Sequence, residues 1–155
     1  MKSFNVRVYG ILIHENRLLV SDEYIKGMNI TKLPGGGLEF GEGTIDCVIR
    51  EFKEELDLEI EVDEHFYTTD FFVNSAFSVN NQVISIYYKV KPKSEFDPLK
   101  LPFKISSKPF DFDKKQEGAQ MMRWIELNKI SENDFTFIID KRIGEMLNNN
   151  WKQLF

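Results

Sequence analysis

The chain has 155 residues and a mass of 18.2 kDa, about the size of one domain, and we expect a single domain over residues 1–155. Hydrophobic residues make up 42% of the chain and aromatic residues 14%, so it has enough apolar surface to build a core and global disorder is excluded. Twenty basic and twenty-five acidic residues give a net charge of −5, which argues against bulk nucleic-acid binding, because such binding neutralises many phosphates.

Cysteine usage and hydropathy bear on the cellular compartment. The one cysteine, Cys47, cannot form an intrachain disulfide, and because it falls within an apolar helical pattern we expect an inert, buried thiol. Residues 1–17 lack the apolar core and cleavage site of a secretory signal, and no run approaches the length of a membrane span. We therefore expect a cytoplasmic protein that does not associate with membranes.

The first third of the chain contains β-rich runs separated by turn residues. Residues 4–13 and 17–22 flank a His-Glu-Asn tripeptide at 14–16, a pattern typical of a β-hairpin. A second turn at residues 26–29 leads into a short apolar run at 30–33. The pattern predicts two or three short antiparallel strands before the first helix.

A glycine segment at residues 34–43 precedes that helix. Five of its ten residues are glycine, which excludes a regular helix there. From Thr44 the apolar residues follow helical spacing, and we expect a helix of about 13 residues with Thr44 as its N-cap. Its apolar face consists of Ile45, Val48, Ile49, Phe52 and Leu56.

The remainder of the chain predicts further strands and a second helix. Strand composition recurs at residues 60–62, 67–73, 82–90 and 120–125. A turn at Asn80-Asn81 precedes the third of these strands. A C-terminal amphipathic helix is expected to begin within residues 131–134.

Residues 91–117 form a long excursion that carries four of the five prolines. Its aromatic residues are Phe96, Phe103, Phe110 and Phe112. Exposing a Phe side chain costs about 1.5–3 kcal/mol relative to burial, so we expect these rings to pack on the domain's own sheet, the substrate or a second copy of the chain. A proline-stiffened arm suits the last of these, and a homodimer is therefore a further expectation.

Three carboxylates of the predicted helix share one arc of its surface. Glu51, Glu54 and Glu55 lie within about 100° of one another around the helix axis. Like charges placed so closely repel, and a bound cation would remove that repulsion. Hard oxygen ligands beside a glycine loop suit Mg²⁺ or Mn²⁺, whereas the alternative is a solvated acidic face.

The spacing of these residues resembles the Nudix box of the Nudix hydrolases, G-x5-E-x7-R-E-U-x-E-E-x-G-U, in which U is a bulky apolar residue. The matching residues are Gly36, Glu42, Arg50, Glu51, Glu54 and Glu55, with Phe52 and Leu58 at the U positions. The segment Leu-Pro-Gly-Gly at 33–36 also resembles the usual approach to this box. Asp57 departs from the pattern by replacing the glycine that ends the helix, a role that Asp can take because it tolerates the left-handed conformation.

The resemblance implies a fold and an activity. The fold would be an α/β/α sandwich around a mixed β-sheet, with the box helix packed on the sheet. The activity would be Mg²⁺-dependent hydrolysis of a pyrophosphate bond in a small nucleoside diphosphate linked to another group, by attack of a metal-activated water on phosphorus; Mn²⁺ would also serve. Two phosphate-bearing fragments would result.

The matched positions imply the composition of the metal site. Glu51 and Glu55 would be the principal Mg²⁺ ligands, and Glu54 would be a further ligand or the general base. A backbone carbonyl at Gly35 or Gly36 would complete the coordination. These roles are carried over from the family pattern, residue by residue.

Predictions also follow for Arg50, Glu117 and the two histidines. Arg50 would hold the helix and the glycine loop together through Glu42, a structural role. Glu117 lies in a loop before a predicted strand, a place from which some Nudix enzymes direct a general base or metal ligand. His14 and His65 are expected to be ordinary surface or strand residues, because neither has a metal-like spacing to another ligand.

Two other glycine-rich motifs do not fit the segment at residues 34–43. A P-loop fails because the glycine segment contains no Lys followed by Ser or Thr, and a dinucleotide-binding fingerprint fails because Asp46 stands at the third glycine position. A Nudix-fold module that binds a nucleotide metabolite without hydrolysing it remains the alternative function, although no box carboxylate is lost. Residues 73–76 lack the marks of the ADP-ribose and dinucleoside polyphosphate groups, which leaves nucleoside triphosphates including oxidised ones, nucleotide sugars and ADP-ribose as candidate substrates.

Overall fold

A computed structural model describes residues 1–154 and the side chains of residues 1–148. In chain order the elements are β1 (Ser3–His14), β2 (Arg17–Ile25), β3 (Met28–Lys32), β4 (Gly35–Gly37), α1 (Thr44–Leu56), β5 (Ile60–Thr68), β6 (Asn81–Pro92), β7 (Ile105–Ser106), β8 (Gln120–Glu126), a 3-10 helix (Glu132–Asp134) and α2 (Ile138–Leu154). Internal contacts group the chain into two compact units, residues 1–11 with 34–102, and residues 12–33 with 103 onward. None of the helices within residues 1–154 is both long and apolar enough to cross a membrane. The single domain expected over residues 1–155 stays a prediction.

The first unit consists of α1 and the strands β4, β5, β6 and the first part of β1. β6 lies between β5 and β1, and β5 pairs with β6 in antiparallel fashion. The glycine segment forms β4, which pairs antiparallel with β1 so that Gly36 lies opposite Val8. α1 packs against β4 and β5. The N-terminal end of the box is therefore part of the sheet, while its C-terminal end is helical.

Phe52 of the box attaches α1 to the sheet. Its ring is fully buried, and a Cβ atom on Gly10 of β1 would lie only 2.6 Å from it. Any side chain at Gly10 would therefore hold the helix away from the strand, so the glycine permits this close approach. Other buried side chains of this unit include Val8, Ile11, Val48, Leu56 and Tyr87.

The ends of α1 follow the expected bounds, with one correction. The helix has 13 residues, but its N-cap is Gly43 and not Thr44, and no side chain caps it. Thr44 is the first helical residue, and its hydroxyl is hydrogen-bonded to the Tyr88 hydroxyl at 2.7 Å. At the other end Asp57 adopts the left-handed conformation (φ 50°, ψ 34°), and its carboxylate accepts a 2.8 Å hydrogen bond from Lys53.

Two further boundaries differ from the sequence expectation. The strands expected at residues 60–62 and 67–73 are one strand, β5, with two register irregularities, and residues 69–73 lie outside it. The C-terminal helix begins at Ile138, because residues 131–134 form a separate capping box around the 3-10 helix. The predicted strand at 67–73 therefore ran past the end of β5, and the predicted start of the second helix fell in the separate 3-10 helix.

The second unit is organised around β2. β2 pairs antiparallel with β3 and β8 and with the last two residues of β1, while β7 pairs parallel with β8. The sheet is therefore mixed. α2 packs against the 3-10 helix, and Gly144 makes room for the buried ring of Phe135, which would lie 2.8 Å from an added Cβ atom. Buried apolar residues here include Leu18, Val20, Ile125, Ile139 and Ile143.

The second half of the excursion is bonded to β2. The backbone N–H of Phe110, a residue with φ +53°, donates to the fully buried carboxylate of Asp22 at 3.1 Å. The same carboxylate accepts hydrogen bonds from Arg123 at 2.7 and 3.0 Å and from Thr31 at 2.7 Å. The four excursion Phe rings are each partly buried. The expected dimer arm stays a prediction.

Candidate functional site

The glycine run of β4 brings backbone close to backbone. Gly35 has φ +147°, and a Cβ atom there would lie 2.1 Å from the carbonyl oxygen of Val8. Only glycine can occupy this position without moving β1. Gly37, in contrast, has open space around it, with the nearest atom 3.8 Å from an added Cβ. Glycine is therefore required by the structure at position 35 but not at position 37.

Gly36 has a different role, because it makes room for a box carboxylate. A Cβ atom on Gly36 would lie 2.5 Å from Cδ and Oε1 of Glu51 and 2.7 Å from Oε2. The Glu51 carboxylate is therefore seated directly against the backbone of β4, and its side chain is only 13% exposed. The structure brings together the expected metal ligand Glu51 and the glycine whose carbonyl was expected to accompany it.

Arg50 joins α1 to the loop that precedes it. Its Nε and Nη2 atoms donate to the two carboxylate oxygens of Glu42 at 2.9 and 2.7 Å. Nη2 also donates to the Gly37 carbonyl at 3.0 Å, and Glu42 in turn accepts the backbone N–H of Glu39 at 2.9 Å. This planar, two-pronged contact is the geometry in which Arg binds a carboxylate most strongly. The contact expected between Arg50 and Glu42 is present.

The contact shifts the protonation behaviour of both partners. Hydrogen bonds from Arg50, and then from the Glu39 backbone N–H, lower the pKa of Glu42 from 4.5 to about 2. The Glu42 hydrogen bond raises the pKa of Arg50 further above its usual range. Both groups are therefore charged throughout the physiological pH range, and the brace between helix and loop does not titrate there.

The remaining nitrogen of Arg50 faces the other box carboxylates. Nη1 donates to Glu51 at 3.0 Å and to Glu54 at 3.1 Å. The Glu54 side chain is 59% exposed, and Glu55 is also exposed. Among residues 1–148, no three His, Cys, Asp or Glu side chains are grouped closely enough to hold a metal ion. The structure thus brings Glu51 and Glu54 together through Arg50 and does not cluster the three carboxylates of α1.

The donor set nevertheless fits a hard divalent cation. Carboxylate oxygens and backbone carbonyls are the ligands that Mg²⁺ and Mn²⁺ prefer. Gly36 leaves space for the Glu51 carboxylate that any side chain would fill. The Glu51 side chain is held against β4, whereas the Glu54 and Glu55 side chains are exposed.

Cys47 lies beneath this site and is unsuited to chemistry. The side chain is fully buried and unpaired, and Sγ lies 3.5 Å from the carbonyl oxygen of Gly37. Burial raises the pKa of Cys47 to about 12, so the thiol is protonated at neutral pH. The expected buried thiol is confirmed.

The other polar residues singled out in the sequence have local partners. Glu117 belongs to the second unit, where its Oε2 accepts the backbone N–H of Lys26 at 2.7 Å. His14 lies beside Trp124, with ring centroids 6.4 Å apart, and His65 is hydrogen-bonded to the Thr68 hydroxyl at 2.7 Å. Neither histidine belongs to a cluster of metal-ligating side chains among residues 1–148.

Two contacts at the site had no signal in the sequence pattern. The Gly37 carbonyl accepts from Arg50, and the Glu39 carboxylate lies 3.6 Å from Nη1 of the same guanidinium. A backbone carbonyl leaves no trace in residue identity, and Glu39 occupies a variable position of the box. A count of acidic residues in the loop is the one signal that could have pointed to Glu39.

Comparison with known proteins identifies the family. Residues 4–143 match the family model of the NUDIX domain. The chain belongs to the NUDIX family. It is similar to a NUDIX hydrolase from Nitrosomonas europaea, with 18% sequence identity and a TM-score of 0.64 over 99% of this chain and 75% of that one. A MutT NUDIX hydrolase from Burkholderia pseudomallei is 16% identical, with a TM-score of 0.63 over 91% of this chain and 95% of that one.

A third NUDIX structure extends the comparison. An ADP-ribose pyrophosphatase from Streptococcus suis is 15% identical, with a TM-score of 0.55 over 90% of this chain and 88% of that one. No curated protein sequence matches the chain. The expected fold class, a Nudix-type α/β fold around a mixed β-sheet, is confirmed, and so is the enzyme class, a Nudix pyrophosphohydrolase. The family acts on small nucleotide derivatives. The family generally uses divalent metal ions.

Proposed function

We propose that this NUDIX protein is a Mg²⁺-dependent hydrolase that cleaves a pyrophosphate bond of a nucleoside diphosphate linked to another group. The observation that carries the proposal is the position of the Glu51 carboxylate against Gly36, where any added Cβ atom would force the carboxylate to move. The Arg50–Glu42 brace beside it supports the same conclusion, because it fixes the loop on which the carbonyls of β4 depend.

Four positions would hold the metal. Glu51 and Glu55 would be the principal ligands, Glu54 a further ligand, and the carbonyl of Gly36 the backbone donor. When bound, Mg²⁺ would withdraw charge from the pyrophosphate oxygens and lower the pKa of a bound water. Arg50 keeps the loop in place through a contact that does not titrate near neutral pH.

The hydrolytic step needs a group that accepts a proton. An oxygen of water forms a bond to one phosphorus, the bridging phosphorus–oxygen bond breaks, and each product retains at least one phosphate. We assign proton acceptance from the water to Glu54 or Glu117, both of which are exposed carboxylates. A Glu117→Gln variant that lowers kcat without changing the metal Kd would support Glu117, and one with unchanged kcat would exclude it.

The substrate proposal covers three classes that share the nucleoside diphosphate core: nucleoside triphosphates including oxidised ones, nucleotide sugars, and ADP-ribose. The experiment is a hydrolysis screen over these classes with Mg²⁺, with products identified by mass. Release of two phosphate-bearing fragments from at least one class supports hydrolysis. Tight binding of a compound without turnover by the wild-type protein would instead favour a nucleotide-binding module.

Two properties of the whole molecule belong to the same proposal. A homodimer is supported by the four partly buried Phe rings of residues 91–117 and by the prolines that stiffen this segment. A cytoplasmic location is supported by the single, buried and unpaired thiol. Light scattering tests the homodimer by comparing the wild type with a version in which residues 92–113 are replaced by a short Gly-Ser link. A wild type that is monomeric at tens of micromolar would contradict the homodimer.

A further inference from the structure

The guanidinium of Arg50 serves two separate sets of acceptors. Nε and Nη2 are fully engaged by Glu42 and the Gly37 carbonyl, which is the structural brace described above. Nη1 is not part of that brace. It donates instead to Glu51 and Glu54, two of the three carboxylates that the proposed function assigns to the metal.

This second contact draws Glu54 to one side of the helix. At about 100° per residue, Arg50 and Glu55 lie about 140° apart around α1, with Glu54 between Arg50 and Glu51. A Glu54 carboxylate bound to Nη1 therefore points away from Glu55. This orientation agrees with the lack of any three-member group of metal-ligating side chains among residues 1–148.

We propose that Nη1 of Arg50 is a competing cation, which holds Glu54 while no metal is bound and must release it when a divalent cation binds. The proposal rests on the metal site of the proposed function. Arg50 itself cannot follow Glu54 toward the metal, because the planar guanidinium is fixed by its two bonds to Glu42. The exposed Glu54 side chain is therefore the part that moves.

A replacement acceptor for Nη1 is already in place. The Glu39 carboxylate lies 3.6 Å from Nη1, and its backbone N–H is held by Glu42. When Glu54 leaves, a small rotation of the exposed Glu39 side chain brings it within hydrogen-bond distance of Nη1. The positive charge of Arg50 stays paired throughout, so the exchange leaves no uncompensated charge beside the metal.

The test is the affinity for Mn²⁺ alone, measured from the free Mn²⁺ signal in electron paramagnetic resonance. We expect Arg50→Gln to bind Mn²⁺ about two- to fivefold more tightly than wild type, since breaking one exposed ion pair no longer opposes binding. Glu42→Gln is the matched scaffold control, because it loosens the same brace but keeps the Arg50 charge. Lys53→Gln is the charge control, since Lys53 is bound to Asp57 and not to the box carboxylates.

The outcomes separate the two proposals. Tighter binding by Arg50→Gln than by both controls supports competition by Nη1. Binding by Arg50→Gln that is no tighter than that of Lys53→Gln overturns it and leaves the metal site standing. Wild-type protein that binds no Mn²⁺ at millimolar concentration overturns the metal site and the competition together.

A measurement on the wild type covers the case in which Arg50→Gln does not fold. In uniformly ¹⁵N-labelled protein, addition of Mg²⁺ should shift the Nη1 signals of Arg50, which exchange Glu54 for Glu39, and leave its Nε–H signal in place. Unchanged Nη1 signals at a Mg²⁺ concentration that shifts the Glu51 backbone amide would overturn the proposal.

Discussion

The three consecutive glycines of β4 should respond differently to the same substitution. In Gly36→Ala, the new methyl would lie 2.5 Å from the Glu51 carboxylate, where an ordinary contact is 3.4–4 Å, so the carboxylate must move by about 1 Å. A displacement of about 1 Å at a catalytic group costs on the order of 10²-fold in rate. We therefore expect kcat/KM with Mg²⁺ to fall about a hundredfold.

The stability of Gly36→Ala should change little. The clash is with the end of a flexible side chain and not with backbone, and the φ of Gly36 lies outside the left-handed region. Replacing Gly by Ala also stabilises by about 0.4–1 kcal/mol through the unfolded chain, which offsets the loss of contacts made by Glu51. We expect the free energy of unfolding to stay within about 1 kcal/mol of wild type, measured by urea denaturation.

Its neighbours provide the controls. Gly37→Ala meets nothing closer than 3.8 Å and should retain wild-type activity and stability. Gly35→Ala would place its methyl 2.1 Å from the Val8 carbonyl at φ +147°, and should lose more than about 1 kcal/mol of stability through backbone strain. Full activity in Gly36→Ala, or an equal loss in Gly37→Ala, would show that the seat of Glu51 does not matter for catalysis.

Four further predictions concern single residues. Glu55→Gln should weaken Mn²⁺ binding and lower turnover by orders of magnitude with an unchanged melting temperature; unaltered turnover would remove Glu55 from the site. Arg50→Ala should lower the melting temperature because it releases the loop held by Glu42, and an equal melting temperature would contradict the brace. The pKa of Glu42 is about 2 in the folded chain and 4.5 in the unfolded chain, so its ionised carboxylate stabilises the fold above pH 4.5, and this contribution is lost as the pH falls toward 2. Wild type should therefore lose more stability than Glu42→Gln as the pH falls from 4.5 to 2. Cys47 should resist iodoacetamide at pH 8 until the protein unfolds, since its pKa is raised to about 12; rapid labelling of the native state would contradict its burial.

The helical part of the box was predictable because its spacing is a local property. Residues 50–55 lie within two turns of one helix, so their relative placement follows from helical periodicity alone. The expected contact between Arg50 and Glu42 was also accessible, since the family pattern pairs the two positions. The length of α1 followed from its apolar face.

Contacts that depend on tertiary placement were not predictable. Thr44 does not cap α1 because its hydroxyl is bonded to Tyr88, 44 residues away. The pairing of β7 with β8 is parallel and joins segments that have no shared pattern. The sequence also could not predict that Arg50 contacts both Glu42 and the carboxylates of α1, because residue spacing does not determine which nitrogen of a guanidinium contacts which partner.

The central claim is that carboxylates of α1 hold a divalent cation for attack of water on phosphorus, and one measurement tests it most directly. The wild-type protein is treated with EDTA, passed into ¹⁸O-labelled water, and assayed by mass on the three substrate classes before and after Mg²⁺ is added. We predict no turnover before Mg²⁺ and, after it, one ¹⁸O atom in one of the two phosphate-bearing products of at least one class, with Glu51→Gln inactive throughout. Full turnover in the chelator, or wild-type activity in Glu51→Gln, would contradict the claim.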